Sequence, residues 1–181
     1  GPQACSPIWA SAGMRLLLVR SKGALVDKAL KDREAKIRAW FSMWLDKTDG
    51  GIEALFSSDA VYVESWGPVY RGARSVKHWF EEWNSRGTVR RWEIEQFFHK
   101  GDQTVVEWYF EDEMADGRAE SFDGVSLVRW SPDGKIAFLK EFGCSTIRYD
   151  PYECGGSAPG EQVPWLNPVE SGDRVAALET P

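Results

Sequence analysis

A chain of 181 residues, 43% of them hydrophobic, can build one domain with a core and has residues to spare at its ends. Its formal net charge of −6 argues against nucleic acid, whose phosphates call for a basic face. Ten tryptophans and 13% aromatic residues suit a fold with a sizeable interior.

Residues 1–28 read as an N-terminal extension with weak pattern. Gly1-Pro2 has the look of a protease-cleavage remnant, and Met14 of a natural start. The apolar run Leu16–Val19 is too short for a signal-peptide core or a membrane span, so no membrane partner is expected and the cytoplasm is the expected location. Cys5, Cys144 and Cys154 have no metal-ligand spacing, although Cys144 and Cys154 could pair in an oxidising compartment.

From Lys31 the pattern sharpens. Ile37, Trp40, Phe41, Trp44 and Leu45 follow helical spacing, and Asp49-Gly50-Gly51 ends that helix. Ile52, Leu55 and Phe56 predict a short second helix. A strand around Glu64 follows, broken by Gly67-Pro68. Strand alternation places Tyr62, Glu64 and Trp66 on one face and Val61 and Val63 on the other. A carboxylate between two aromatic residues fits a cavity wall better than a plain core strand.

A third helix starts after Gly72, with Val76, Trp79, Phe80 and Trp83 on its buried face and His78 beside that stripe. Four strand-like segments follow. Val89–His99 carries Trp92, Ile94 and Phe98 on one side. Thr104–Asp112 sets Val106, Trp108 and Phe110 against Val105, Glu107 and Tyr109. Ala119–Trp130 and Ile136–Cys144 complete the set. The turns are Lys100-Gly101-Asp102, Asp116-Gly117 and Ser131-Pro132-Asp133-Gly134. His99, at the first turn, is expected to be exposed. Arg86, Arg90 and Arg91 read as a solvated strand entrance. Helices first and then an antiparallel meander make an α+β domain over residues 29–149. Residues 150–181 form a Gly/Pro-rich C-terminal tail whose Val163, Trp165 and Leu166 could dock on the domain or a neighbour.

The segments IRAWFSMWLDKTDGGIEALFSSDAVYVESWG, YRGARSVKHWFEEW and DGKIAFLKEF, in this order, resemble the nuclear transport factor 2-like superfamily, in particular its SnoaL-like branch. The resemblance covers about Lys31 to Tyr149. It implies a cone-shaped fold in which N-terminal helices pack on a curved antiparallel sheet. That fold hosts isomerases, cyclases, dehydratases, epoxide hydrolases and binding domains, so fold alone does not name a reaction. Ketosteroid isomerase is the nearest mechanistic template. Its general base follows an Asp-Ala pair by five residues from the Asp, which here is Asp59-Ala60 and points to Glu64. Its two oxyanion donors fall at Phe41 and Ser126, of which only Ser126 can donate, so steroid isomerisation is not expected. The same matching turns Leu139, Glu141 and Gly143 inward and makes Glu141 a second acid in or beside the cavity.

Each of these residues also has a structural reading. Glu64 could be a buried acid paired with Arg71, Arg74 or Lys140, or bonded to Tyr70. Glu141 could be an edge-strand carboxylate paired with Lys140 or Lys135, or facing a partner subunit. Most tryptophans are expected in the core, with one or two at the cavity and Trp66 the first choice because it shares the face of Glu64. The expected ligand-lining set is Tyr62, Trp66, Tyr70, Phe41, Trp44, Trp108 and Ser126. No phosphate loop, paired-cysteine site, His-x-x-x-His spacing or nucleophile elbow occurs, so neither metal nor cofactor is expected. Three functions fit: a cofactor-free acid–base enzyme for a small, apolar carbonyl or hydroxyl compound; a binding domain with the same pocket; or a homodimer module. The homodimer would form through the outer sheet face, with Val105, Glu107, Tyr109 and Arg91.

Overall fold

The computed structural model describes residues 10–150, Tyr152 and Glu153, with side chains from Gly23 onward. The chain divides into a unit Gly1–Thr146 and a unit Ile147–Pro181. In the second, the Tyr152 amide donates to Asp150 Oδ1 at 2.8 Å. The Trp165 segment lies outside the described residues.

The first unit runs α1 (Ala10–Asp46), α2 (Ile52–Leu55), β1 (Phe56–Val63), β2 (Val69–Arg71), α3 (Ala73–Arg86), β3 (Gly87–Lys100), β4 (Gln103–Met114), β5 (Ala119–Trp130) and β6 (Ile136–Ser145). Helix α1 passes through residue 28 without a break, so residues from Ala10 onward are helical where an extension is expected. Its residues 23–29 are exposed on every side, which is why they show no apolar stripe. The stripe begins where the helix meets the sheet, with Ile37, Trp40, Phe41, Met43 and Trp44 buried. Leu45 lies on the flank and is exposed. Lys47 ends the helix in the left-handed region, at φ 51°. Asp49 Oδ1 then accepts the Gly51 and Ile52 amides, both at 2.8 Å, at the start of α2. Lys77 on α3 donates to the other oxygen of Asp49 and ties the two helices together. Phe56 opens β1 instead of closing α2.

One six-stranded sheet has the order β2-β1-β6-β5-β4-β3. Four of its five pairings are antiparallel, but β1 and β6 run parallel, with Tyr62 beside Leu139 and Val63 beside Lys140. The sheet is therefore mixed, not antiparallel, because the meander returns its last strand alongside the first. This return makes β6 a central strand. The edges are β3 and β2, the latter three residues long, with Tyr70 paired to Tyr62. At Gly72 the chain turns sharply into α3: φ is 84°, and a Cβ there would stand 2.9 Å from the Ser58 carbonyl oxygen.

Strand β3 breaks simple alternation twice, with register shifts between Val89 and Arg91 and between Ile94 and Gln96. Each inserts one residue and resets the inward parity. Trp92 and Ile94 face the core as expected, but beyond the second bulge Phe97 packs inward and Phe98 is exposed. His99 is turned inward as well: its ring bonds Thr104 Oγ1 at 2.9 Å and Glu34 Oε1 at 3.1 Å. The expected exposure of His99 is thus corrected by the same bulge. The core between helices and sheet is aromatic, with Trp40 and Trp44 edge-on at 5.5 Å and Phe41 stacked on Trp92 at 3.9 Å. Each fully buried ring contributes on the order of 2–3 kcal/mol. Among the described residues, no helix is long and apolar enough to cross a membrane.

Candidate functional site

Between this sheet, α3 and the turn after β1 lies a cavity of about 970 Å³ that is open to solvent on one side. Strand β1 ends at Val63, and a five-residue hairpin turn leads into β2. The Glu64 amide donates to the Pro68 carbonyl at 2.9 Å, and the Gly67 amide to the Glu64 carbonyl at 3.2 Å. The side chain of Glu64 points into the cavity. Tyr70 Oη donates to its Oε1 at 2.5 Å and Trp66 Nε1 to its Oε2 at 3.0 Å.

Trp66 does not share a strand face with Tyr62, because the strand has already ended. It is 76% exposed at the cavity rim and reaches Glu64 from the turn. Tyr62 is fully buried behind the wall, against Trp79 at 4.9 Å and Tyr70 at 6.5 Å, and its hydroxyl donates to Glu141 Oε1. Tyr70 stacks on Trp79 at 4.5 Å.

Glu141 lies on β6, between β1 and β5, and faces the same cavity as Glu64. It is not an edge-strand carboxylate, and its partner is a tyrosine, not Lys140 or Lys135. Two Tyr–Glu pairs thus stand side by side, Tyr62–Glu141 and Tyr70–Glu64. Of the remaining expected lining residues, Trp44 and Trp108 contribute to the wall. Phe41 and Ser126 do not. Phe41 is stacked under Trp92, and buried Ser126 accepts the Trp108 indole N–H at 2.9 Å. Trp79, Trp83, Trp92, Phe110 and Phe122 complete the aromatic wall. Exposed Arg74, His78, Glu82, Arg86, Arg118 and Glu120 form the rim.

Burial raises the interior acids. Glu141 is pushed up to about 8, chiefly by desolvation, against which the Tyr62 bond works and to which the charge of Glu64 adds. Glu64 is raised by burial and held back by the Tyr70 and Trp66 bonds and by the charge of Arg86. Tyr62 and Tyr70 are both pushed upward, first by burial and then by the acids they serve.

A third acid, Asp112, does not stand out in the sequence because it sits at the end of an alternating strand, where an acid usually meets water. Here it is 7% exposed, lines the cavity, and its Oδ1 has no hydrogen-bond partner. Burial and the neighbouring Glu120 charge push it up to about 6, partly offset by a bond from the Glu120 amide and the charge of Arg118. The readable signal was parity: Asp112 follows Val106, Trp108 and Phe110 at i+2 steps. Among the described residues, no group of three His, Cys, Asp or Glu side chains could hold a metal ion.

A family model described as a SnoaL-like domain matches residues 37–139. No curated protein sequence matches the chain significantly. Among solved structures, a candidate isomerase from Bacillus subtilis superposes with a TM-score of 0.57 at 12% identity, covering 64% of this chain and 88% of that one. An epoxide hydrolase of the LEH-like type from M. tuberculosis gives 0.56 at 14% identity, over 63% and 84%. A candidate polyketide cyclase from Xanthomonas campestris gives 0.51 at 13% identity, over 62% and 90%. At these identities the likeness is one of fold.

Proposed function

Because the chain belongs to the SnoaL-like domain family, within the nuclear transport factor 2-like superfamily, we propose that its cavity takes a small, largely apolar carbonyl- or hydroxyl-bearing molecule and moves a proton on it without a cofactor. Glu64 is the base and Glu141 the acid. The observation that carries this reading is the unlike setting of two carboxyl groups on one cavity. Glu64 accepts two hydrogen bonds that favour its charged form, whereas Glu141 is held up at about 8 and keeps its proton at neutral pH. Glu64 as carboxylate takes a proton from the substrate, and Glu141 as carboxylic acid delivers one to the developing oxyanion. Tyr62 then steadies the Glu141 carboxylate, and the indole walls exclude water. The fold-level neighbours include proteins named as cyclase, isomerase and epoxide hydrolase, which is the same range of proton chemistry.

The test is a screen of apolar carbonyl compounds by tryptophan fluorescence, followed by turnover of each hit with wild type and Glu64→Gln. The variant is expected to bind with similar strength and to lose roughly 100-fold or more in turnover. The wild-type pH profile is expected to be bell-shaped. Its acid limb lies above the ordinary glutamate value, and its alkaline limb is set by Glu141 near 8. Full turnover by Glu64→Gln would sink the catalytic role. A ligand returned chemically unchanged by wild type would leave a binding domain.

A homodimer through the outer sheet face belongs to the same proposal. Phe98, exposed by the β3 bulge, lies in one cross-strand row with Val105 and Leu127, and exposed Phe142 stands on the same side. Beside them Arg91 covers the Tyr109 ring at 4.7 Å. Light scattering is expected to give a dimer mass for wild type and a monomer for Phe98→Glu. A monomeric wild type removes this part. A cytoplasmic setting fits the free, exposed thiol of Cys144. Thiol labelling of freshly lysed cells is expected to find it reduced, and a blocked thiol counts against that setting.

A further inference from the structure

We propose that the molecule this cavity takes carries a positive charge, a tertiary or quaternary ammonium held between indole faces and the interior carboxylates. The inference rests on the cavity reading above and deepens it by naming the substrate class. Its first ground is an imbalance of charge. Five acids and three arginines line the cavity. All three arginines are already engaged by acids: Arg86 with Glu82 at 2.7 Å, Arg118 with Asp116 at 2.9 Å and Arg74 with Glu53 at 3.8 Å. Of the interior acids, Glu64 and Asp112 have no cationic side chain within 4.0 Å among the described residues, and Glu141, protonated at neutral pH, adds no charge to be balanced. Buried carboxyl groups without a counter-ion are costly, and a bound cation would supply the missing charge.

The second ground is the wall. Six of the ten tryptophans line this one cavity. Indole is the strongest aromatic partner for a cation, at about 0.5–2 kcal/mol per contact. The protein makes five cation–π contacts among its described residues, on Trp130, Phe97, Tyr109, Phe138 and Phe142, and none of these rings lines the cavity. Among the described residues, therefore, no cation of the protein's own covers an indole face of the wall. Aromatic walls alone would suit a neutral hydrocarbon, and acids alone would suit any hydrogen-bond donor. With Asp112 among the lining acids, the two together select a positive charge on an apolar body.

The experiment compares choline with 3,3-dimethyl-1-butanol, which has the same shape with carbon in place of the charged nitrogen. Binding is read by quenching of tryptophan fluorescence. Choline is expected to bind roughly tenfold more tightly than the neutral alcohol. Asp112→Asn and Glu64→Gln are each expected to weaken choline about threefold or more and to leave the alcohol unchanged. Circular dichroism confirms that each variant is folded, and either variant alone suffices. Equal or tighter binding of the alcohol overturns the proposal, while leaving the pocket available for the acid–base reading. No binding of choline also overturns it, and the carbonyl screen then judges the acid–base reading separately.

Discussion

In urea unfolding carried out from about pH 5 to about pH 9, wild type is expected to lose stability as pH rises, and Glu141→Gln is expected to lose much less. The sign follows from proton counting. The carboxyl of Glu141 titrates at about 8 in the folded protein and near 4.5 when unfolded. Between those values the folded state holds more protons than the unfolded state, so raising the pH favours unfolding. The stabilising contribution is complete below the unfolded value and is gone once the pH has passed the folded one. A shift of this size corresponds to an upper bound on the order of 5 kcal/mol, and solvent in the cavity trims it to about 2 kcal/mol. Glutamine keeps a carbonyl oxygen for the Tyr62 hydroxyl and has nothing to ionise, so the variant should match wild type at low pH and exceed it at high pH. A residual slope remains from Glu64 and Asp112, both raised by burial. Asp49, lowered to about 2 by Lys77, acts only below its ordinary value and lies outside this window. Parallel curves for the two proteins would mean that Glu141 is ionised in the fold at neutral pH, which would remove it as the acid.

That pair of acids shows what a sequence can and cannot reveal about a site. The third helix and the last four strands are local facts, written in the spacing of Val76, Trp79, Phe80 and Trp83 and in the turn residues between strands. All of them stand where the pattern puts them. The parallel pairing of β1 with β6 is not local. Nothing in either segment encodes its neighbour, and the edge reading of Glu141 fails because β6 lies at the centre of the sheet. Bulges are equally silent: a single inserted residue exchanges Phe97 for Phe98 without altering the composition of the strand. Glu64 was legible from its aromatic company and from the family resemblance. Trp66 reaches the cavity from the turn and not from a strand face, because β1 stops at Val63. Phe41 and Ser126 were placed at the cavity by analogy. In this chain larger rings, Trp92 and Trp108, stand in front of them.

Gly124→Ala is expected to destabilise the protein by about 1–3 kcal/mol, lowering the melting temperature by roughly 3–10 °C. Gly124 faces Trp108 across the β4–β5 ladder, and the indole lies over the space a side chain would fill. A Cβ at this position would stand 2.3 Å from Trp108 Cη2 and 2.6 Å from two further ring atoms, closer than nonbonded atoms approach. The ring has little room to retreat. Its Nε1 is bonded to Ser126 Oγ, and Trp92, Phe110 and Phe122 pack edge-on around it at 5.8–6.4 Å. An isolated glycine inside a strand is the sequence signal for such close approach. Here it marks the place where β5 makes way for a cavity wall. Because the clash is with one ring, it should be relieved by shrinking that ring: in the Gly124→Ala background, Trp108→Phe should cost less than it does in wild type, a coupling of about 1 kcal/mol in a double-mutant cycle. Ligand binding should weaken in Gly124→Ala along with stability, since the displaced indole belongs to the wall. Additive costs in the cycle would mean that the sheet, not the indole, yields at this point, and the cavity would then keep its shape in the single variant.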